Sequence, residues 1–360
     1  MELSEQRPAG PELMRRLAAL KDAEPGLRAR DAAARLGVSE AELVAARCGA
    51  GVRRLDGPWP ELLKALPTLG TVMVLTRNDS AVHEKVGTFD KVSAFQNMGL
   101  VLNGAVDLRL FFSHWHFGFA VAEEAHGAVR HSLQFFDVDG LAVHKVYLRE
   151  ESDAAAYEAL VTRHLHADQA PAIRVAAKAP LPGDRPDDAI DRAALRDRWQ
   201  ALQDVHDFRA MLIDLGVGRL QAFRLVGDDL AYRVDPGSFR RALEQAAASG
   251  LSIMVFVGSP GVVQIHTGPV KKLKEVGPWF NVLDPGFNLH LREDGIAEAW
   301  VVRKPTRDGL VTSLEIYDAD GGQIAWMFGE RHEGEAELAE WRALVETLPP
   351  LGVPAGVSVQ

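Results

Sequence analysis

The sequence predicts an α+β fold made by tandem duplication: two pseudo-symmetric repeats, each a large antiparallel β-sheet unit with flanking helices. Three observations lead to this prediction. The chain has 360 residues, more than a single domain usually holds. One segment recurs after a fixed interval, and short strand patterns follow one another without helices between them, which is typical of antiparallel sheets.

The recurring segment is the clearest sign of duplication. Residues 132–140 match residues 313–321 in five of nine positions, at an offset of 181 residues. The same offset aligns Gly87 with Gly268 without gaps. A period of this length is too long for a solenoid repeat, so it predicts two homologous domains.

A change of composition marks the boundary between the two repeats. Residues 171–188 are rich in proline and charge and lack apolar periodicity, which is typical of a linker. The residues in it that interrupt regular secondary structure are Pro171, Pro180, Pro182, Gly183 and Pro186. We therefore expect an N-terminal repeat over residues 1–170 and a C-terminal repeat over residues 189–360.

Each half begins with helical patterns and continues with strands. The predicted helices cover residues 12–20, 28–36 and 39–47 in the first half, and 192–215 and 219–226 in the second. The predicted strands cover residues 71–76, 107–112, 132–137, 253–257, 262–266, 297–302 and 312–317. The Asp-x-Asp-Gly segments at residues 137–140 and 318–321 supply the glycine that a tight hairpin needs at positive φ.

Composition and charge disfavour several classes of protein. The net charge of −10 should repel nucleic acids and anionic membranes, so an anionic ligand needs a local basic cluster. Cys48 is the only cysteine, which excludes an intramolecular disulfide and any multi-cysteine metal site. The amino terminus lacks a signal-peptide pattern and no apolar run is long enough to span a bilayer, so we expect cytoplasmic localisation without membrane insertion.

Residues 36–47 have the pattern of a helix-turn-helix. Ser39 can cap the second helix, and Glu42 stands where a capping box requires it. That helix carries Glu40 and Glu42 and only one cation, Arg47, so it lacks the basic face that phosphate contact needs. Structural packing is favoured over a DNA-binding regulator, which stays the lowest-ranked alternative.

Two pairs of histidines have spacings that could suggest a metal site. His114 and His116 share one face of a predicted strand, and His164 and His166 stand near the end of a predicted helix. Neither pair has a cysteine or an evident carboxylate partner. Hydrogen-bonded or surface histidines are therefore the favoured interpretation.

His206 is the strongest single candidate for a ligand. It follows Trp199 and Leu202 at helical spacing, which by itself favours a core histidine. Its neighbourhood favours a ligand, because residues 204–208 lead into Arg219 and further aromatic residues.

Positions that break the repeat symmetry indicate an anion site in the second half. Lys304 aligns with Glu123, and Arg331 aligns with Glu150. Basic residues that replace acidic ones in one repeat predict a single anion-binding site, and ordinary drift of surface charge is the alternative.

Several motifs together resemble a known family. They are residues 102–110 with His114 and Trp115, residues 204–208, 257–261, 264–268 and 303–309. The chain resembles the HemS/ChuS/HmuS family of bacterial cytoplasmic haem-utilisation proteins, also called haemin-degrading factors. The resemblance covers nearly the whole chain and implies two tandem repeats with one haem held mainly by the second.

The resemblance also implies roles for individual residues. His206 matches the proximal ligand of the haem iron, and Arg109 matches a distal arginine that is also a tentative catalytic residue. The positions that bind propionates or pack on the porphyrin are Arg219, Lys304, Arg331 and Phe256. Trp326 and Phe328 are further haem-contact candidates, and they replace the glutamine and tyrosine common in relatives, so two side-chain hydrogen bonds expected near the propionates are absent or weakened.

The resemblance implies that the ligand is haem, iron protoporphyrin IX, received after import. An inner-membrane haem importer is the expected donor, and a haem oxygenase or a reductase is the expected downstream partner. Oxidative degradation of haem by this chain and a carrier role without catalysis remain alternatives, because histidine ligation occurs in both classes. A secondary haem contact at His83 is also open, with a surface histidine favoured.

Overall fold

The computed structural model describes residues 10–24, 26–102, 104–125, 127–178, 183–332 and 334–351. Four parts of the sequence predictions lie outside these residues: Asn103 in the first motif, Pro180 and Pro182 in the linker, and the two ends at residues 1–9 and 352–360. Within the described ranges, no helix is both long and apolar enough to cross a membrane.

Contacts divide the chain into two compact units. The first unit comprises the residues up to Arg77, those from His83 to the predicted linker, and Gly258–Gln264. The second comprises Asn78–Val82, the residues from the linker to Val257, and those from Ile265 onward. Each unit therefore includes a short segment from the other half of the sequence. The repeat boundaries expected from the sequence stay a prediction.

The first unit contains the helices and strands of the first half of the chain. Its helices are α1 (Gly10–Ala23), α2 (Ala29–Arg35), α3 (Glu40–Ala45), α4 (Trp59–Ala65) and α5 (Ala154–Arg163). Its strands are β1 (Val52–Leu55), β2 (Val72–Arg77), β3 (Ala81–Gly87), β4 (Val92–Phe95), β5 (Met98–Leu102), β6 (Asp107–Phe111), β7 (Phe117–Ala125), β8 (Ala128–Phe136) and β9 (Ala142–Leu148). They pair in the orders β1-β7-β8-β9-β2-β3 and β6-β5-β4.

The second unit has the same plan. Its helices are α6 (Arg192–Gln200), α7 (Asp207–Leu215), α8 (Arg219–Val226), α9 (Ser238–Ser249) and α10 (Ala339–Glu346). Its strands are β10 (Ala231–Val234), β11 (Ile253–Ser259), β12 (Val262–Gly268), β13 (Leu273–Val276), β14 (Trp279–Asp284), β15 (Phe287–Arg292), β16 (Glu298–Thr306), β17 (Gly309–Tyr317) and β18 (Gln323–Gly329). They pair in the orders β10-β16-β17-β18-β11-β12 and β15-β14-β13.

In each unit the described strands pair into these antiparallel arrays of six and three strands with helices beside them, and the α+β fold predicted from the sequence is confirmed. All seven predicted strands are present, with ends that differ by a few residues. Both Asp-x-Asp-Gly segments are tight turns, with Gly140 at φ +81° and Gly321 at φ +79°. The capping box predicted at Ser39 and Glu42 is also present at the start of α3.

Helices cover both faces of the central strands of the second unit. Successive residues of a strand point to opposite faces, so β16 and β17 present different side chains to each layer. One face packs under α6 to α8 through Trp199, Phe208, Phe223, Trp300 and Tyr317. The other packs under α9 and α10 through Phe239, Trp341, Val301, Leu314 and Ile316. The candidate site lies on the sheet face that α6 to α8 cover.

Candidate functional site

A turn between α6 and α7 places His206 at the surface. The sequence predicts one continuous helix over residues 192–215, and this prediction is wrong: α6 ends at Gln200 and α7 begins at Asp207. In the turn, the Asp204 carboxylate accepts a hydrogen bond from the backbone N–H of His206 at 2.9 Å. Aspartate competes for backbone donors in this way and interrupts helices. His206 becomes the residue that caps α7, with 85% of its side chain exposed.

The imidazole of His206 is oriented by the same carboxylate. Its Nδ1 lies 2.6 Å from Oδ1 of Asp204. The backbone N–H of His206 and this side-chain contact together lower the pKa of Asp204. With the ring hydrogen on Nδ1, the lone pair is on Nε2, which has no hydrogen-bond partner in the part of the chain that the structure describes. Carboxylate-held histidine is the arrangement that orients metal ligands in proteins.

A buried cluster of charge lies on the sheet face beneath α7 and α8. Arg219, the first residue of α8, donates to both carboxylate oxygens of Glu315 at 2.8 to 3.0 Å. Lys304 on β16 donates to the same carboxylate at 3.2 Å. Glu315 is fully buried and also accepts the hydroxyl of Tyr317 at 2.5 Å. Two cations thus share one carboxylate, and the cluster carries one net positive charge.

The cluster also has unused hydrogen-bond donors. Lys304 is only 4% exposed, and Glu315 is its one hydrogen-bond acceptor among the described residues. Burial lowers the pKa of Lys304 to about 8, although Glu315 opposes the shift. The two neighbouring cations hold the pKa of Glu315 well below its usual range, in spite of burial. An unneutralised buried cation with free donors is suited to receive an anionic group.

One aromatic ring connects this cluster with the histidine. Phe208, two residues after His206, is buried on α7. Its ring centre lies 4.8 Å from Nζ of Lys304 and 5.1 Å from Cζ of Arg219. These are cation–π distances. The turn that carries the exposed imidazole therefore ends two residues before a ring that contacts both cations.

Arg331 is linked to the same turn by the hairpin between β16 and β17. Arg307 in that hairpin lies 3.6 Å from the carboxylate of Asp204. The next residue, Asp308, lies 3.8 Å from the guanidinium of Arg331. Nε of Arg331 is buried and has no hydrogen-bond partner among the described residues. Arg331 thus contacts the same hairpin that contacts Asp204, the partner of His206.

Three aromatic side chains form a half-buried surface on the same face of the sheet. Phe256 on β11 pairs in register with Trp326 on β18, and their rings stack at 5.4 Å and 19°. The ring of Phe328 meets Phe256 edge-on at 5.2 Å. Trp326 is also the register partner of Glu315, so this aromatic surface lies beside the buried cluster. A flat apolar group with acidic substituents would match both.

Arg109 is the one predicted site residue that belongs to the first unit. It lies on β6, where its guanidinium forms an ion pair with Asp107 and donates to the carbonyl of Leu108 at 3.3 Å. The other seven predicted residues all lie in the second unit.

His83 differs from its predicted environment. The sequence favoured a surface histidine, but His83 is fully buried on β3, so that prediction is wrong. Its Nδ1 lies 2.9 Å from Nε2 of Gln264, within the first unit. Both faces of β3 are covered at this position, and alternation in the sequence does not reveal the second layer.

The other predicted histidine pairs have structural environments. His114 and His116 are exposed and lie in a short 3-10 turn and the link after it, not on a strand as predicted. Nδ1 of His164 lies 3.3 Å from the carbonyl of Asp56, and Nδ1 of His166 accepts the N–H of Asp168. No group of three or more histidine, cysteine, aspartate or glutamate residues suited to a metal occurs in the described parts of the chain.

The helix-turn-helix pattern corresponds to packed helices. The second helix, α3, buries Glu40, whose carboxylate forms ion pairs with Arg77 and Lys145. Four of its six residues are buried, so α3 does not offer the exposed basic face that a DNA groove requires. This arrangement agrees with the structural interpretation.

Four residues of the candidate site around His206 were not predicted as site residues from the sequence: Asp204, Arg307, Glu315 and Tyr317. A signal existed for two of them. Asp204 stands two residues before the candidate ligand, at the spacing of an aspartate turn. Glu315 replaces Gln134 of the first repeat, a change of charge at an otherwise similar position.

Comparison with known proteins gives a consistent result. A model of the HemS family, described as the haemin-degrading HemS.ChuX domain, matches residues 37–164 and 216–348. The hemin transport protein HmuS of Yersinia pestis is 44% identical over 329 residues, which cover 91% of this chain and 94% of that protein.

Two solved structures have the same fold over nearly the whole chain. Holo-PhuS, a heme-binding protein from Pseudomonas aeruginosa, is 49% identical, with a TM-score of 0.92 over 94% of this chain and 99% of that one. ChuS, a heme-degrading enzyme of Escherichia coli O157:H7, is 41% identical, with a TM-score of 0.87 and the same coverage. Two matches to one family model and close relatives along both repeats establish that the chain belongs to the HemS family.

Proposed function

We propose that the protein binds one haem, iron protoporphyrin IX, in the cytoplasm of a bacterium that takes up haem as an iron source. The observation that carries this proposal is the exposed imidazole of His206, held by Asp204 two residues before Phe208, whose ring contacts a buried cluster with one net positive charge. The names of HmuS, PhuS and ChuS, which refer to hemin transport, heme binding and heme degradation, support the proposal.

The residues present fit the chemistry of haem. Nε2 of His206 would ligate the iron, because Nδ1 is engaged by Asp204. Arg219, Lys304 and Arg331 would bind the propionates, since Lys304 and Arg331 have unused buried donors. Phe256, Trp326 and Phe328 would pack on the porphyrin, with a gain of roughly 25 cal/mol for each Å² of apolar surface removed from water.

Carrier and degrading roles would use the same residues. Bound haem supplies an iron centre that can be reduced and can react with dioxygen. In either role His206 and the cations hold and orient the ligand, and the aromatic surface excludes water from one side of it. Arg109, fixed by its ion pair with Asp107, remains our proposal for the distal residue, where it would supply a positive charge to a degrading enzyme.

We further propose that an inner-membrane haem importer supplies the ligand. A separate haem oxygenase would receive it in the carrier role, and a reductase would supply electrons in the degrading role. Localisation in a reducing cytoplasm is supported by the presence of a single cysteine in 360 residues.

Two measurements test the proposal. Haem titrated into the apo protein should give a saturable Soret band at one equivalent, and the absence of saturable uptake would overturn the proposed function. The loaded protein is then incubated with ascorbate and catalase and analysed for an open-chain tetrapyrrole and released iron. Product that persists with catalase supports degradation, whereas product lost with catalase, or none, supports the carrier role.

A further inference from the structure

The buried carboxylate of Glu315 is contacted by more hydrogen-bond donors than it has lone-pair positions. Besides its two cations, it accepts hydrogen bonds from Ser313 at 2.8 Å, Tyr317 at 2.5 Å and Gln323 at 3.0 Å. A carboxylate offers about four lone-pair positions. These neutral donors and the two-pronged contact from Arg219 already fill them, so Lys304 has only the longest contact, at 3.2 Å.

Lys304 and Arg219 therefore keep donors for another acceptor. Nζ of Lys304 has three N–H groups and one acceptor among the described residues. Arg219 uses Nε and Nη2 on Glu315 and Tyr317, and Nη1 has no acceptor there. The donors of Lys304 are buried, and buried donors without acceptors are costly, so their retention points to a ligand that supplies the missing oxygen atoms.

The first repeat shows that the sheet does not need this carboxylate in order to fold. The residue equivalent to Glu315 is Gln134, whose amide donates to Ser132 at 3.1 Å. The residue equivalent to Lys304 is Glu123, which lies partly exposed and pairs with Arg130. The charged arrangement in the second repeat is thus an addition to a shared framework.

We propose that Glu315 is a positioning residue: it holds the buried Lys304 in its ammonium form and fixes Arg219, so that the cluster receives one carboxylate group of the haem. This inference rests on the proposed function. Without Glu315, Lys304 would have only cationic and neutral neighbours and would give up its proton at lower pH.

Groups from three neighbouring elements, β17, α8 and α7, face Lys304. β17 contributes Glu315 and Tyr317, α8 contributes Arg219, and α7 contributes the uncharged ring of Phe208. On α6, Arg196 pairs with Asp229 and Arg198 with Asp214, and the other two charged residues, Arg192 and Asp197, are exposed. Loss of the Lys304 proton, near pH 8, would remove the net positive charge that attracts the ligand carboxylate.

The test compares the affinity of the apo protein for haem and for haem dimethyl ester, which lacks the two carboxylates, between pH 6 and pH 10. The ratio of the two affinities isolates the carboxylate contribution, expected to be roughly tenfold or more for a charge-assisted contact. In the wild type the ratio should fall as pH rises through about 8. In Lys304→Arg, whose side chain does not titrate in this range, it should stay high to pH 10.

The decisive variant is Glu315→Gln, in which the fall of the ratio should move to lower pH. Tyr317→Phe removes the two hydrogen bonds of the hydroxyl, to Glu315 and from Arg219, and keeps the charge of Glu315, so the affinity ratio of this variant should fall at the same pH as that of the wild type. Coincident profiles for Glu315→Gln and wild type, or a fall that persists in Lys304→Arg, would overturn the inference. If Glu315→Gln does not fold, Glu315→Asp, with a shorter carboxylate, replaces it and should move the profile in the same direction.

The outcomes separate this inference from the proposed function. Equal affinities for haem and ester at every pH would overturn the role of the cluster and leave haem binding intact. Failure of the wild type to take up either compound would overturn the proposed function itself.

Discussion

Among single residues, Asp204 has the most direct effect on the candidate ligand. Its carboxylate contacts both the backbone N–H and the Nδ1 of His206, so it sets the position of the ring and the nitrogen that carries the hydrogen. Loss of such a partner typically lowers metal affinity 10- to 100-fold. The sequence names His206, but only the structure shows which acid holds it.

We expect Asp204→Asn to weaken haem binding by roughly tenfold or more. An amide oxygen can still accept a hydrogen bond but does not raise the basicity of the imidazole. Soret titrations measure the affinity. Asp207→Asn is the matched control, because Asp207 is a neighbouring exposed acid at the start of α7. Equal affinity of Asp204→Asn and wild type would contradict the orienting role.

A second residue, His144, links burial with pH. His144 lies on β9 at 1% exposure, with Nδ1 2.9 Å from the hydroxyl of Thr76 and no partner on Nε2 among the described residues. Burial lowers the pKa of His144 to about 3. The unfolded chain binds this proton near pH 6.5 and the folded chain does not. The contribution of His144 to the free energy of unfolding is therefore fully present above that pH and decreases as the pH falls towards 3.

The expected slope is about 1.4 kcal/mol of unfolding free energy per pH unit between pH 6 and pH 5. His144→Gln should reduce that slope and leave the part due to His164, whose pKa burial also lowers, whereas His116→Gln, which changes an exposed histidine, should leave the slope unchanged. Denaturant unfolding at the two pH values measures it. A slope as steep in His144→Gln as in the wild type would show that His144 does not take up the proton on unfolding.

Among elements, strands and turns were easier to predict than helix ends. The Asp-x-Asp-Gly turns and the strands of each half follow from local patterns, and the structure has them where expected. The break between α6 and α7 was missed, because residues 192–215 keep helical periodicity across it. Only the side chain of Asp204, which captures the N–H of His206, ends that regularity.

The two glycine turns provide a matched pair of element-scale substitutions. Gly140 and Gly321 have nearly the same positive φ, so alanine is strained equally at both. A methyl group at Gly140 would lie 2.3 Å from Oγ of Ser39, the residue that caps α3, whereas at Gly321 its nearest neighbour is a carbon of Leu220 at 3.4 Å.

We therefore expect Gly140→Ala to lower the unfolding free energy more than Gly321→Ala, by at least about 1 kcal/mol, since it also disturbs a helix cap. Thermal or denaturant unfolding of the two variants measures the difference. Equal losses would mean that the α3 cap does not depend on the neighbouring turn.

For the whole molecule, duplication explains how much of the site the sequence could reveal. Symmetry-breaking positions identified Lys304 and Arg331 as candidates for an anion site, and family motifs added His206 and Arg219. The sequence did not show that Glu315 joins two of these cations, because that contact depends on strand register and on the packing of α8. Contacts between residues that are far apart in the sequence leave little trace in the local sequence pattern.

Each unit contains one buried carboxylate between an arginine and a lysine, Glu40 in the first and Glu315 in the second. The cations lower the pKa of Glu40 to about 2, against the effect of burial, and hold that of Glu315 below its usual range. This contribution to stability is present above about pH 4.5 and is lost as the pH falls further.

We expect the unfolding free energy of His144→Gln, which lacks the histidine contribution, to decrease between pH 4.5 and pH 3 as the unfolded chain takes up protons. Chemical denaturation at several pH values measures the effect. A flat dependence in this range would contradict the ion pairing of the two carboxylates.

The most direct test of the account is a haem titration of His206→Ala beside the wild type. The Soret band reports ligation of the iron, and His332→Ala, which removes another exposed histidine of the second unit, is the control. We predict a shifted Soret band and weaker binding only for His206→Ala. A spectrum and affinity identical to the wild type would contradict the assignment of His206 as the iron ligand.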